Sequence, residues 1–205
     1  MNRPGVRSDE GFRLIERQFV FRGRIVSVSI DHLRFPGGHE VRHEVLHLPA
    51  AVAVVPLLEE TPGLLEVVLV DQFRSSLQGY LHEIPAGILE GGEDPAACAA
   101  RELEEETGYK PTRLTHLATI YPIPGTSSHL MYFYLAEGLK MGKQLLEEAE
   151  CLTVKRFPLE LLLESIVQPG SSPSARGAPV LVDAKTHVGL LHLAMRRRGK
   201  SCPSP

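Results

Sequence analysis

Short apolar blocks separated by turn residues fill the first quarter of the chain. Between Phe19 and Leu48, the segments FVF, RIVSVSIDHLRF and HEVRHEVLHL are rich in β-branched and aromatic residues, with Pro36-Gly37-Gly38 as a reversal. This predicts a small antiparallel sheet. After Pro49 the pattern changes to two nearly continuous apolar runs, AVAVVPLL and LLEVVLVDQF, split by Glu59-Glu60-Thr61-Pro62-Gly63. Runs without alternation suit strands covered on both faces, so these two are expected at the centre of the main sheet.

Helical spacing begins after Gly92. Asp94 is a suitable N-cap, Pro95 a good first-turn residue and Gly108 a natural stop, giving a helix over about Pro95–Thr107. LTHLATIY and LMYFYLAEGL read as strands flanking the loop PIPGTSSH. A second helix is expected from near Pro158 in FPLELLLESIVQ, and a third over Ala184–Arg197. Between them QPGSSPSARGAP, residues 168–179, has Gly, Pro and Ser without apolar periodicity. It reads as a surface loop, with a lid over a substrate as the alternative.

Composition narrows the classes. The chain has 205 residues, 43% of them hydrophobic, enough for one sizeable core or a main domain with a small appendage. A formal net charge of -3 gives no overall attraction to nucleic acid or to an anionic membrane. The best apolar run, Ala50 to Leu58, is too short and proline-interrupted to span a bilayer. Cys98, Cys151 and Cys202 are odd in number and widely spaced, which points to a reduced, cytoplasmic setting and not to a zinc site.

The stretch from Gly87 to Tyr109, GILEGGEDPAACAARELEEETGY, concentrates the chemistry. At about 3.6 residues per turn, Glu102 and Glu106 lie one turn apart on one side with Glu105 beside them, while Glu104 points away. Ala96, Ala99, Ala100 and Leu103 make the adjoining apolar stripe, so the acids lie at the edge of the buried face. Like charges at this spacing destabilise a helix by roughly 0.2–0.5 kcal/mol each. A divalent cation reverses that sign, and oxygen ligands without His or Cys favour Mg²⁺ or Mn²⁺, ions that commonly bridge to substrate phosphates.

Gly87, Glu93, Arg101, Glu102, Glu105, Glu106 and Gly108 form G-x5-E-x7-R-E-L-x-E-E-x-G, which resembles the Nudix box of the Nudix hydrolases at every fixed position. Tyr109, where the family usually has an aliphatic residue, is one departure. The resemblance implies an α/β fold, a Nudix α/β/α sandwich with a mixed central sheet, plus the small N-terminal antiparallel sheet. It implies a division into an N-terminal sheet region, 1–48, and a catalytic domain, 49–205. Glu102 and Glu106 would be the principal metal ligands and Glu105 a further ligand or water-activating base. Ala86 would add its carbonyl, Glu93 and Arg101 would brace the loop, and Gly87 and Gly108 would shape it.

HLPAAVAVVPL, VDQFR, LHEIPAG and DAKTHVGLL resemble the ADP-ribose pyrophosphatase branch and its relatives that act on other nucleotide sugars. That likeness implies metal-dependent hydrolysis of a nucleoside diphosphate sugar to a nucleoside monophosphate and a sugar phosphate. It also implies a homodimer that exchanges the N-terminal sheets. Arg74 and Glu83 match positions that contact substrate; Arg74 would bind pyrophosphate or stack on a base, its plain alternative being a surface salt bridge. The loop from Tyr121 to His129 resembles another of the branch's loops, with Gly125 at a substrate-binding position. Where the branch commonly has a glutamate that helps to activate water, this chain has His129, either a base titrating near pH ~6.5 or an ordinary exposed residue. Asp183 and Lys185 read as a helix cap and a lysine whose head stays wet. GDP-mannose or a dinucleotide are alternative substrates, and a non-catalytic nucleotide sensor is the alternative class.

Overall fold

The computed structural model describes residues 4–7, 11–145, 151–167 and 179–200. They fall into two compact units, one within Met1–Ala50 and Thr119–Met131, the other within Ala51–Ala118 and Tyr132–Pro205. The loop carrying Gly125 and His129 therefore belongs with the N-terminal segment and not with the strands that flank it in sequence.

In the first unit β1 (Arg13–Arg22), β2 (Ser27–Arg34) and β3 (Glu40–His47) form an antiparallel sheet in that order. The β2–β3 turn uses Gly37 and Gly38 at φ 90° and 87°, a left-handed conformation that favours glycine. Strand β1 starts well before Phe19. Register irregularities at Leu14/Glu16 and Phe19/Phe21 break the alternation by which a strand is read from sequence. The Tyr121–His129 loop is tied to β3: Leu46 N–H donates to the Thr126 carbonyl at 2.8 Å, and Ser127 Oγ donates to the Leu46 carbonyl at 2.7 Å.

The second unit is built on a seven-stranded sheet. Its strands are β4 (Ala51–Thr61), β5 (Leu64–Arg74), β6 (Gly79–Glu83), β7 (Ala86–Ile88), β9 (Arg113–Ile120), β10 (Met131–Glu137) and β12 (Leu152–Pro158). The order is β12-β5-β4-β10-β9, with β6 added to β5 and β7 to β4. The short strands β8 (Tyr109–Lys110) and β11 (Lys140–Met141) pair separately. As their unbroken apolar runs predict, β4 and β5 are interior strands, and Ala51–Val55, Leu57 and Leu58 are all buried.

The faces of β4 explain the layers. Val52, Val54 and Leu58 join Cys98, Ala99 and Leu103 of helix α1 (Pro95–Thr107) in one apolar cluster with Val68, Tyr109, Tyr134 and Ala136. Val55, one residue out of phase, faces the other side. There helix α3 (Ala184–Lys200) approaches so closely that a Cβ on Gly189 would meet Val55 Cγ2 at 2.7 Å and Ile84 Cδ1 at 2.9 Å. Strand alternation thus puts one helix on each face of the sheet. Helix α2 (Leu159–Val167) follows β12, and Leu159 and Leu162 are buried. Helix α3 runs three residues past the predicted Arg197, to Lys200, in a cationic segment of the kind a helix C-terminus favours.

Among the described residues no helix is long and apolar enough to cross a membrane. Cys98 and Cys151 are free thiols, the first buried and the second exposed, and Cys202 lies outside the described residues. So do residues 168–178 of the loop read as a surface segment or lid.

Candidate active site

Helix α1 is fixed at both ends. Asp94 accepts hydrogen bonds from Ala96 N (2.9 Å) and Ala97 N (3.1 Å), and Gly108, at φ 77°, donates to the Glu104 carbonyl at 2.7 Å. Against the sheet the helix buries two charged residues along with Cys98, Ala99 and Leu103: Glu102 is 8% exposed and Glu106 2%. Glu105 is partly exposed next to them, and Glu104 turns to Lys110 at 2.8 Å.

Strand β7 brings the preceding loop onto these acids. Gly87 pairs with Val52 of β4, and a Cβ built on it would overlap the carboxyl carbon and both oxygens of Glu102. Only glycine leaves that carboxylate its place. Ala86 donates its N–H to Glu106 Oε2 at 3.2 Å. Glu106 is held from the other side by its own backbone, whose carbonyl accepts from Gln144 Nε2 at 2.6 Å.

Arg101 organises the array. It donates from Nε to Glu93 Oε1 (2.9 Å) and from Nη2 to Glu93 Oε2 (3.0 Å), a bidentate pair, while Nη1 donates to both Glu102 Oε1 and Glu105 Oε2 at 2.9 Å. The guanidinium beside Glu93 holds that carboxyl at about 2, against the opposing effect of burial. Three carboxylates in turn raise the pKa of Arg101, led by Glu93. Burial pushes the Cys98 thiol up to about 12, so it stays neutral beside the array and supplies no thiolate.

In this arrangement a guanidinium and a backbone amide occupy the carboxylates, and among the described residues no three His, Cys, Asp or Glu side chains converge as a set that could hold an ion. The donor chemistry nevertheless suits a hard divalent cation: three carboxylates within two turns, no imidazole or thiolate among them, and a glycine-lined space for Glu102. Glu102, Glu105 and Glu106 are the residues that would hold it.

Arg74, at the end of β5, adjoins the same array. Its Nε and Nη2 donate to Glu83 Oε1 (2.7 Å) and Oε2 (2.6 Å). Its pKa is raised, first by that pairing and further by the charges of Glu106 and Asp183. Glu83, 2% exposed, also accepts from Lys185 Nζ. Burial pushes the Glu83 carboxyl up, but the hydrogen bonds from Arg74 and the charge of Lys185 outweigh it and leave the pKa lowered. The expectation that the head of Lys185 stays wet is corrected here: the side chain is 13% exposed and joins Glu83 to Asp183 Oδ2, the latter at 3.1 Å. Asp183 does cap α3, accepting from Thr186 N at 2.9 Å. The DAKT segment shows its lysine in sequence, but the partner lies 102 residues away.

Gly125 and His129 lie in the first unit. Gly125 lines a cavity of about 360 Å³ with Arg17, His43, His47 and Tyr121. His129 donates from Nδ1 to the Pro49 carbonyl at 2.7 Å, which leaves Nε2 as the basic nitrogen of the neutral ring.

The NUDIX domain family matches residues 47–176. An ADP-ribose pyrophosphatase of Bacillus subtilis is 35% identical over 186 residues, covering 90% of this chain and 93% of that protein. A methanol dehydrogenase activator of Bacillus methanolicus is 31% identical over the same coverage. The crystal structure of an ADP compounds hydrolase superposes with a TM-score of 0.78 over 96% of this chain and 99% of that one, at 22% identity, and so shares the fold. The chain belongs to the Nudix family: it is a Nudix hydrolase, with homologues that are pyrophosphatases and a family chemistry that generally uses a divalent metal.

Proposed function

We propose that this enzyme hydrolyses the pyrophosphate bond of ADP-ribose or a related nucleoside diphosphate sugar with Mg²⁺, or Mn²⁺ in its place, releasing a nucleoside monophosphate and a sugar phosphate. The observation that carries the reading is the placement of Glu102, Glu105 and Glu106 on one helix edge beneath Gly87, with Arg74 in the electrostatic field of Glu106. A bound divalent cation supplies charge neutralisation and a more acidic water. The chain's part is to hold the carboxylates, to keep Glu93 and Arg101 bracing the loop, and to present a cation, Arg74, to the anionic substrate. In this reading Glu105 accepts the proton of the attacking water, and its being the most exposed of the three acids supports that role.

The N-terminal sheet is read as the exchanging element of a homodimer. Leu14, Ile15, Phe19, Val20 and Phe21 of β1 are exposed, a density of apolar surface that a partner would cover. Sedimentation at micromolar concentration should give twice the chain mass. The setting is read as cytoplasmic, and the free thiols of Cys98 and Cys151 support that reading.

The test is incubation with ADP-ribose, GDP-mannose and dinucleotides in Mg²⁺, scoring phosphate released by a coupled phosphatase. ADP-ribose should turn over fastest, and Glu106→Gln should abolish turnover. Preference for GDP-mannose or a dinucleotide would replace the substrate. Binding of ADP-ribose with no turnover of any compound would support a sensor in place of an enzyme.

A further inference from the structure

Among the described residues both oxygens of Glu83 are engaged, and burial closes the carboxylate to a ligand. Oε1 accepts from Arg74 Nε, while Oε2 accepts from both Arg74 Nη2 and Lys185 Nζ, and the carboxylate is buried. Among the described residues Nη1 of Arg74 has no hydrogen-bond partner, and the side chain is 37% exposed. Arg74 is thus gripped along one edge with its tip free. The grip is anchored to helix α3. Lys185 bridges Glu83 to Asp183, and Asp183 Oδ2 also accepts from Thr186 Oγ1 at 2.6 Å. Thr186 Oγ1 in turn accepts from Ile84 N at 2.9 Å, next to Glu83. This chain of bonds leads from the first turn of α3 to the end of β6 and on to the guanidinium of Arg74.

We infer that Lys185 is a positioning residue for the reaction: it separates the Glu83 and Asp183 carboxylates and so fixes the direction in which Arg74 presents its free Nη1 to the substrate's pyrophosphate. Without the ammonium, two carboxylates that now share one cation face each other, and Arg74 becomes the nearest positive charge to both. Its guanidinium is then drawn off its present line. The inference rests on the reading above that Arg74 contacts substrate, and it assigns Glu83 to holding Arg74 and not to touching the ligand.

A double-mutant cycle on the full chain tests it, with ADP-ribose and Mg²⁺, or the panel compound turned over fastest if that is another. Arg74→Met should lower kcat/KM on the order of a hundredfold and Lys185→Met on the order of tenfold, in the same parameter, KM or kcat. The double variant should be no slower than Arg74→Met alone, and Lys185→Arg should recover most of the activity. Losses that multiply in the double variant, or a Lys185→Met protein that melts lower but keeps its kcat/KM when folded, would overturn the role of Lys185. An unimpaired Arg74→Met would instead remove the substrate contact itself. If Lys185→Met does not fold, Glu83→Gln combined with Arg74→Met makes the same comparison, because Glu83 also acts only through Arg74.

Discussion

Replacing Gly87 by alanine adds one methyl group at the point where the loop meets helix α1. The backbone there is not in the left-handed region, so alanine meets no conformational penalty, and the effect comes from space alone. The new Cβ would overlap the carboxyl group of Glu102, whose nearest comfortable carbon–oxygen separation requires a displacement of roughly 1 Å or more. Because the obstructed group is the end of a side chain and not backbone, the chain can yield without unfolding. What is lost is the hydrogen bond from Arg101 Nη1 to Glu102, about 1–2 kcal/mol for a charge-assisted contact at a partly exposed site. Thermal melting should therefore fall by only a few degrees. Activity should fall much further, on the order of a hundredfold, since a displacement of this size moves a carboxylate of the array. Equilibrium Mn²⁺ binding followed by its paramagnetic signal should weaken in parallel. A Gly87→Ala enzyme with unchanged kcat/KM and unchanged Mn²⁺ affinity would refute the assignment of Glu102 to the metal.

Three further outcomes follow from the same geometry. The Glu93 carboxyl, held at about 2 by Arg101, stabilises the fold fully above its unfolded pKa near ~4.5 and loses that contribution as pH falls through the folded value. Glu93→Gln should thus cost at most about 3 kcal/mol at pH 7, nearer 1 after solvent screening, and the gap between the two melting temperatures should close towards pH ~2; a gap independent of pH would contradict the linkage. His129→Ala is expected to keep kcat within a few-fold and to leave the pH–rate profile intact, with Glu105 as the base; loss of one limb of that profile in the variant would return the proton to His129. Chelation with EDTA should abolish turnover and Mg²⁺ should restore it, whereas activity that survives dialysis against chelator would remove the cation from the proposal.

Much of the second unit was legible in sequence because its signals are local. Asp94, Pro95 and Gly108 punctuate α1, and the phase of Glu102 and Glu106 beside Ala99 and Leu103 places the acids at the edge of the buried stripe before any neighbour is known. The unbroken apolar runs of β4 and β5 likewise announce interior strands. Elements without such signals were missed. Strand β7 has three residues and β12 carries Lys155 and Arg156 side by side without apolar alternation, and their membership of the sheet depends on a partner strand: β7 exists through Ala51–Ala53, and β12 through Glu66–Gln72.

By itself, then, the sequence determined that Glu102, Glu105 and Glu106 share one acidic edge, since helical geometry converts their spacing into adjacency and such an edge suits a hard cation; the reaction class came from the resemblance of the whole Gly87–Gly108 pattern to the Nudix box. The environment of Lys185 was decided only in three dimensions. Read locally, an aspartate and a lysine at the start of α3 are a cap and a snorkelling side chain; folded, the lysine meets a buried glutamate 102 residues earlier in the chain. Gly87 shows the same division within the Nudix box. Its glycine is plain in the sequence, but the reason for it is Glu102, which occupies the space that a methyl group would need. Charge pairing and steric fit act across short distances in space, which strand pairing and helix packing create between residues that are remote along the chain.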